Sequence, residues 1–222
     1  MKKAAVIFIT FIFFAISSYA QSASNNEHWQ NYIFARIGER NYYLHEKVKT
    51  LFPNQCPNCR AFSFGAGPGN EAIDLIKNGW DVTVSDISPT SGKVIEERAK
   101  MHYGKFSFQN RKFGDERMRG KYDYFFSFFA LPFGDKKKVF QLIRHMSLYS
   151  KQNSLVALNF FGPTHDFVKS PKVFAMTEKD IRKLMRSNRF QILYFMHRIY
   201  DKPDTEGNII HWDVFDVIAR KK

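Results

Sequence analysis

Two hydrophobic periods alternate along this chain, and the places where one gives way to the other mark its elements. From Glu27 to Phe52 apolar residues recur at helical spacing (Trp29, Tyr32, Ile33, Ile37, Tyr42, Leu44, Val48, Leu51), which predicts one helix ended by Pro53 and Pro57. The apolar run Ala61-Phe-Ser-Phe64 predicts a strand that enters a loop carrying Gly65, Gly67 and Gly69. Ala72, Ile73, Leu75 and Ile76 then predict a helix stopping at Gly79, and Val82 to Val84 a second strand ending on the carboxylate of Asp86. A helix over Pro89 to His102, with Val94, Ile95 and Ala99 inward, and a third strand over Phe106 to Phe113 follow. Tyr122 to Leu131 is almost unbroken apolar sequence, the pattern of a strand buried on both faces. Lys136 to Tyr149 reads as a helix and Ser154 to Phe161 as a fifth strand. Thr177-Glu-Lys-Asp180 is an N-cap with acids in the first turn of a helix that ends near Asn188. Phe190 to Tyr200 and Ile209 to Ala219, joined by a turn with Pro203, Asp204, Gly207 and Asn208, predict an antiparallel hairpin.

The first twenty-two residues follow a different pattern. Lys2 and Lys3 precede thirteen apolar residues, Ala4 to Ile16, and Ser18-Tyr-Ala20 places small residues before Gln21. That arrangement predicts a signal peptide over 1–20, cleaved after Ala20, and one domain over 21–222. The run is short for a membrane span. The expected location is periplasmic or secreted, and an uncleaved inner-membrane anchor is the alternative.

Composition narrows the classes. The 222 residues suit one domain, and 24 phenylalanines within a 17% aromatic fraction exclude disorder. The net charge of +13 is spread along the sequence and not gathered in one tail. A strong basic balance favours anionic partners, but the spread argues against a dedicated nucleic-acid surface. Two cysteines in Cys56-Pro-Asn-Cys59 can close a small disulfide loop after export. They precede a strand, unlike a thioredoxin-type pair, and two ligands do not make a zinc site. The seven histidines show no metal-ligand spacing.

Candidate chemistry centres on the glycine loop. Glycines let backbone approach a ligand at the carboxyl edge of the first strand, where a helix also presents its N-terminus. Asp86, seventeen residues after Gly69, stands where ribose hydroxyls would donate to it. A dinucleotide and S-adenosylmethionine are both compatible with this unit, although a dinucleotide fold usually has a third glycine where this chain has Ala72.

Gly65-Ala-Gly-Pro-Gly69 followed by Asp86 resembles motif I and the acidic motif of the class I S-adenosylmethionine-dependent methyltransferases. Ser127-Phe-Phe-Ala-Leu-Pro-Phe133, Phe160-Phe-Gly-Pro-Thr-His-Asp-Phe167 and His211-Trp-Asp-Val-Phe-Asp-Val-Ile-Ala-Arg220 are similar to stretches of its small bacterial single-domain members. The resemblance implies an α/β, Rossmann-like fold: a doubly wound, seven-stranded, mostly parallel sheet closed by an antiparallel C-terminal hairpin. It implies S-adenosyl-L-methionine as cofactor, held by Phe64, Gly65, Ala66, Gly67, Gly69, Asp86, Ile87, Phe113, Ser127 and Phe128. It also implies a small-molecule acceptor and no nucleic acid, with membrane contact only through an uncleaved leader. By the same resemblance the helix before the first strand would cover the cofactor pocket, and the Phe161 to Phe167 loop would border the acceptor, with His165 and Asp166 as a general-base pair to test. Two positions depart from the family. Ser63 stands where an acid usually helps hold the methionine amino group, and Lys112 where an acid meets the adenine, with Asp115 close behind. These departures motivate an alternative, an exported binding module on a methyltransferase scaffold. Export raises a further difficulty, since S-adenosylmethionine is made in the cytoplasm.

Overall fold

The apolar run from Tyr122 forms the middle of the sheet. The computed structural model describes residues 27–52, 56, 58–203 and 207–222; the leader, Pro53, Pro57 and Asp204 lie outside these. Seven strands, β1 (Arg60–Phe64), β2 (Asp81–Asp86), β3 (Lys105–Asn110), β4 (Tyr122–Ser127), β5 (Ser150–Phe161), β6 (Phe190–Pro203) and β7 (Ile209–Lys221), lie in the order β3-β2-β1-β4-β5-β7-β6. β1 to β5 are mutually parallel, and β7 runs antiparallel between β5 and β6. Strand order reverses between β1 and β4, so the crevice beyond their carboxyl ends is where such sheets bind ligands.

Helices cover the two faces unequally. α3 (Asn70–Lys77) and α4 (Pro89–Ala99), with α2 (Tyr43–Lys49), bury Leu44, Val48, Ile73, Ile76 and Ile95 against Ala61, Val82, Val84, Tyr124 and Phe126. On the opposite face α5 (Lys136–Tyr149) and α6 (Glu178–Ser187) bury Val139, Leu142, Ile143, Met146, Ile181 and Met185 against Phe62, Phe64, Phe125 and Phe160. No helix joins β3 to β4; residues 111–121 cross as a loop, and only Met118 of that loop is buried, joining the second core.

Three predicted boundaries are corrected. The expected helix from Glu27 to Phe52 is two helices, α1 over residues 27–35 and α2. Gly38, at φ +78°, breaks it: the Gly38 N–H donates to Asn70 Oδ1 (3.1 Å), Asn70 Nδ2 to the Arg36 carbonyl (2.9 Å), and the Tyr42 N–H to Glu71 Oε1 (2.8 Å). The first turn of α3 thus replaces the hydrogen bonds that continuing the helix would have made. The third strand stops at Asn110, short of Phe113, because its pairing partner β2 ends opposite it at Asp86. The fourth stops at Ser127, since Phe129 adopts φ +55° and Leu131–Phe133 form a 3-10 turn. The Thr177 cap forms as expected, its hydroxyl accepting from the Asp180 N–H.

Candidate functional site

The loop after β1 is built around close approaches. Gly65, at φ +61°, has Ala130 so near that an added Cβ would lie 2.3 Å from the Ala130 Cβ; at Gly69, φ +71°, a Cβ would lie 2.3 Å from Ile95 Cγ1. Gly67 between them is open except for the Tyr32 ring at 3.6 Å. Residues of β2 and α4 hold the loop. Asp86 Oδ2 accepts from the Gly67 N–H (2.9 Å), and its Oδ1 from the Ser88 N–H (2.8 Å). Ser91 Oγ donates to the Gly67 carbonyl (2.6 Å), and Arg98 to that of Pro68 (2.5 Å). Burial raises the Asp86 carboxyl above the ordinary range, against the main-chain N–H donors of Ser88, Gly67 and Ile87 that favour its ionised form. Each carboxylate oxygen keeps a lone pair for a further donor.

The other predicted residues divide. Phe64 is fully buried, stacked on Phe62, and shapes the strand end from below. Ala66 packs against the first core, and Ile87 is exposed at the rim after β2. Phe113 lies over Gly65 and Gly134. Ser127 is buried and its hydroxyl donates to the Phe64 carbonyl (2.8 Å), so it ties β4 to β1 and keeps only acceptor lone pairs for a further partner. Phe128 is half-buried against Tyr42 and Phe126. Ser63 is buried and carries no charge, and Lys112 is exposed. Asp115 is exposed and paired with Lys138 (3.3 Å). Helix α1 does lie across the loop, with Tyr32 on Gly67 and Trp29 edge-on to Phe133.

Beside the loop, at the carboxyl ends of β4 and β5 and the start of β7, aromatic rings gather. Phe161, Phe167 and Trp212 surround His165, with ring centres 3.7, 5.1 and 4.9 Å from it, and Phe129 and Phe133 extend the cluster. His165 is 1% exposed; its Nδ1 accepts from the Phe167 N–H (3.1 Å), which puts its proton on Nε2. Burial lowers its pKa to about 4, against the pull of Asp213 and Asp166. The predicted His165–Asp166 base pair is therefore not assembled. Asp166 instead binds Lys169 (2.6 Å) and the His211 N–H (2.7 Å), and the imidazole has no free lone pair. Three buried donors in this region lack partners among the described residues: His165 Nε2, Trp212 Nε1 and Asn159 Nδ2. Asn159 Oδ1, by contrast, accepts from the Phe129 N–H (2.6 Å) and holds the turn after β4.

Sequence reasoning missed Tyr32 as the residue over Gly67, Ser91, and the donors Asn159 and Trp212. Only Ser91 left a local signal, as a hydroxyl in the first turn of the helix after Asp86. The cysteine pair is disulfide-bonded. His45, Glu46 and Asp74 bring ligand atoms within 4.8 Å of one another. Lys49 Nζ stands 2.9 Å from Asp74 and 3.1 Å from Glu46, so an ammonium already supplies the positive charge there.

The profile of the family described as tellurite resistance protein TehB matches residues 38–214. TehB from Haemophilus influenzae superposes with TM-score 0.70 at 19% identity, over 82% of this chain and 63% of that one; this chain thus spans less than two thirds of its length. A magnesium protoporphyrin IX methyltransferase from Synechocystis PCC 6803, solved with bound SAH, superposes at 0.60 and 18% identity over 87% and 83% of the two chains. A TehB-like SAM-dependent methyltransferase from Corynebacterium glutamicum does so at 0.61 and 13% identity, over 91% and 99%. No curated protein matches the sequence.

Proposed function

This chain belongs to the TehB family and has the S-adenosylmethionine-dependent methyltransferase fold, and on that premise we propose that it transfers the methyl group of S-adenosyl-L-methionine to a small-molecule acceptor. The observation that carries the reading is the Asp86 carboxylate fastened to the Gly67 and Ser88 N–H groups at the reversal of strand order. The residues present fit the cofactor in its ribose half: Gly65 and Gly69 let the loop pack tightly on Ala130 and Ile95 with positive φ, and Asp86 keeps lone pairs for ribose hydroxyls.

When bound, the cofactor supplies an electrophilic methyl on a positively charged sulfur. The chain contributes position and dryness. Tyr32 and Phe113 wall the loop, and the aromatic cluster around His165 excludes water from the acceptor side. His165, neutral and proton-bearing at Nε2, donates to an acceptor oxygen or other lone pair, as do Trp212 Nε1 and Asn159 Nδ2. An unpartnered buried donor costs about 1–3 kcal/mol, which a ligand atom would recover. Among the described residues near His165, the carboxylates Asp166 and Asp213 are engaged by Lys169, Thr164 and His197, so the acceptor arrives already nucleophilic.

Calorimetry on residues 21–222 tests the reading. We expect S-adenosylmethionine or S-adenosylhomocysteine to bind, and Asp86→Ala to weaken it by about 1.5–3 kcal/mol. No heat at millimolar ligand would end it. Ser63 and Lys112 favour a second reading, an exported binding module. Under it the natural chain fails to bind, and Ser63→Asp with Lys112→Asp creates binding. Export itself, to the periplasm or beyond, is part of the proposal and rests on the leader pattern of residues 1–20.

A further inference from the structure

Part of the basic charge of this chain gathers in a hollow at the outer edge of the sheet, whose rim adjoins Asp86 through the Arg111 N–H (3.1 Å). On the face carrying α5 and α6, the sheet beyond β1 has no helix above it, because β3 and β4 are joined by the loop 111–121 alone. The strands show it chemically: Thr83 and Ser107, paired across β2 and β3, are polar where a covered face would be apolar, and the Ser107 hydroxyl donates to Thr83 (3.1 Å). Over this polar floor lies a pocket of about 510 Å³ whose lining includes Arg60, Arg111, Arg117 and Arg119 and no carboxylate.

The loop is held so that these guanidinium groups stay there. Gln109 clamps Arg117 by both its main-chain groups, accepting from the N–H (2.9 Å) and donating to the carbonyl (2.8 Å). Arg60, over the Tyr122 ring, donates to the carbonyls of Arg119 (2.9 Å) and Lys121 (3.2 Å). Met118 is buried, so its neighbours Arg117 and Arg119 stay exposed on either side of an anchored residue. Arg60 has Asp81 as a partner (3.3 Å). The guanidinium groups of Arg111, Arg117 and Arg119 have none among the described residues. Three of the four guanidinium groups thus lack a counter-charge among the described residues and repel one another, and guanidinium pairs best with phosphate, two hydrogen bonds at a time.

We propose that this pocket binds a small polyanion bearing two or three linked phosphate groups. Its volume is that of a small-molecule site, and its two aromatic residues offer no stacking platform for single-stranded nucleic acid, since Tyr122 is buried beneath Arg60 and the Phe108 ring packs against Gly92 of α4. The proposal stands apart from methyl transfer and does not require the cofactor.

Calorimetry of the full chain with inorganic triphosphate tests it, with orthophosphate, a single-stranded oligonucleotide and phosphatidylglycerol vesicles as comparisons. Triphosphate should bind one to one, about tenfold or more tighter than orthophosphate, and weaken several-fold between about 50 and 200 mM salt. Arg111→Gln, Arg117→Gln and Arg119→Gln together should weaken it about tenfold or more. The same loss of charge on α6, by Lys179→Gln, Lys183→Gln and Arg186→Gln, should leave it within about threefold. Circular dichroism checks that both variants fold. Absence of triphosphate binding would overturn the proposal, and so would equal loss in the two variants, which would mean diffuse attraction. Binding of only the oligonucleotide or the vesicles through the same arginines would also overturn it and make the partner a macromolecule.

Discussion

Glu116 shows how one residue can set the pH response of this protein. It is half-buried in the loop after β3, where Oε2 accepts from the Gly114 N–H (2.7 Å) and Oε1 is buried without a partner among the described residues. Burial pushes its carboxyl up to about 7, Asp115 acts in the same direction, and Lys138 and the N–H donors oppose them. A raised folded-state value means that the native chain holds this proton more tightly than the unfolded chain. Its contribution is therefore complete below the unfolded value near 4.5 and is lost as pH rises through about 7. Glu116→Gln should raise stability at pH 8 by on the order of 1–2 kcal/mol and leave it unchanged near pH 4. Urea midpoints at the two pH values check this, and an equal shift at both would contradict it. Asp86 is raised in the same direction by burial, but main-chain donors oppose the rise and both of its oxygens are engaged in the loop, so its removal should be felt first in ligand binding.

At the scale of elements, the strand–loop–helix unit β1–α3 separates conformational strain from steric contact. Gly65 and Gly79 both have positive φ, +61° and +82°, but a Cβ on Gly65 strikes Ala130 and a Cβ on Gly79 meets nothing within 4 Å. Gly79→Ala should cost about 1 kcal/mol, the left-handed penalty alone. Gly65→Ala should cost about 2–4 kcal/mol, because Ala130 and the turn after β4 must move as well. Denaturant titration compares the two; equal costs would mean that Ala130 yields freely and the cradle is soft. The capped helix α6 needs no such contact, since Thr177 satisfies its first turn locally.

At the scale of the whole molecule, the basic charge and the leader pattern are tested together by location. Expressed with its own first twenty residues, the protein should be recovered outside the cytosol, begin at Gln21 and contain the Cys56–Cys59 disulfide. Mass spectrometry of the intact chain reads all three. A cytosolic full-length chain with two free thiols would refute export and remove the difficulty of cofactor supply. Among the described residues no helix is long and apolar enough to cross a membrane.

The sequence by itself determined the strands, their order along the chain and the glycine loop after β1. The apolar run at Tyr122–Ser127 could only be a strand covered on both faces, and the hairpin turn imposed antiparallel closure. Gly65, Gly67, Gly69 and Asp86 were legible because neighbours in sequence build that site through one βαβ unit. Tertiary structure decided what distant segments meet. Asn70 and Glu71 of α3 broke the N-terminal helix at Gly38, and Asp166 was drawn from His165 to the His211 N–H. Trp212 came beside His165, and Asn159 beneath the turn at Phe129, only through the assembly of β4, β5 and β7. The arginine pocket was not read from the sequence. What local spacing could not contain is the fold of the loop 111–121 back over those strands, because Gln109, Arg60 and Met118 hold it by contacts made only after the sheet has formed.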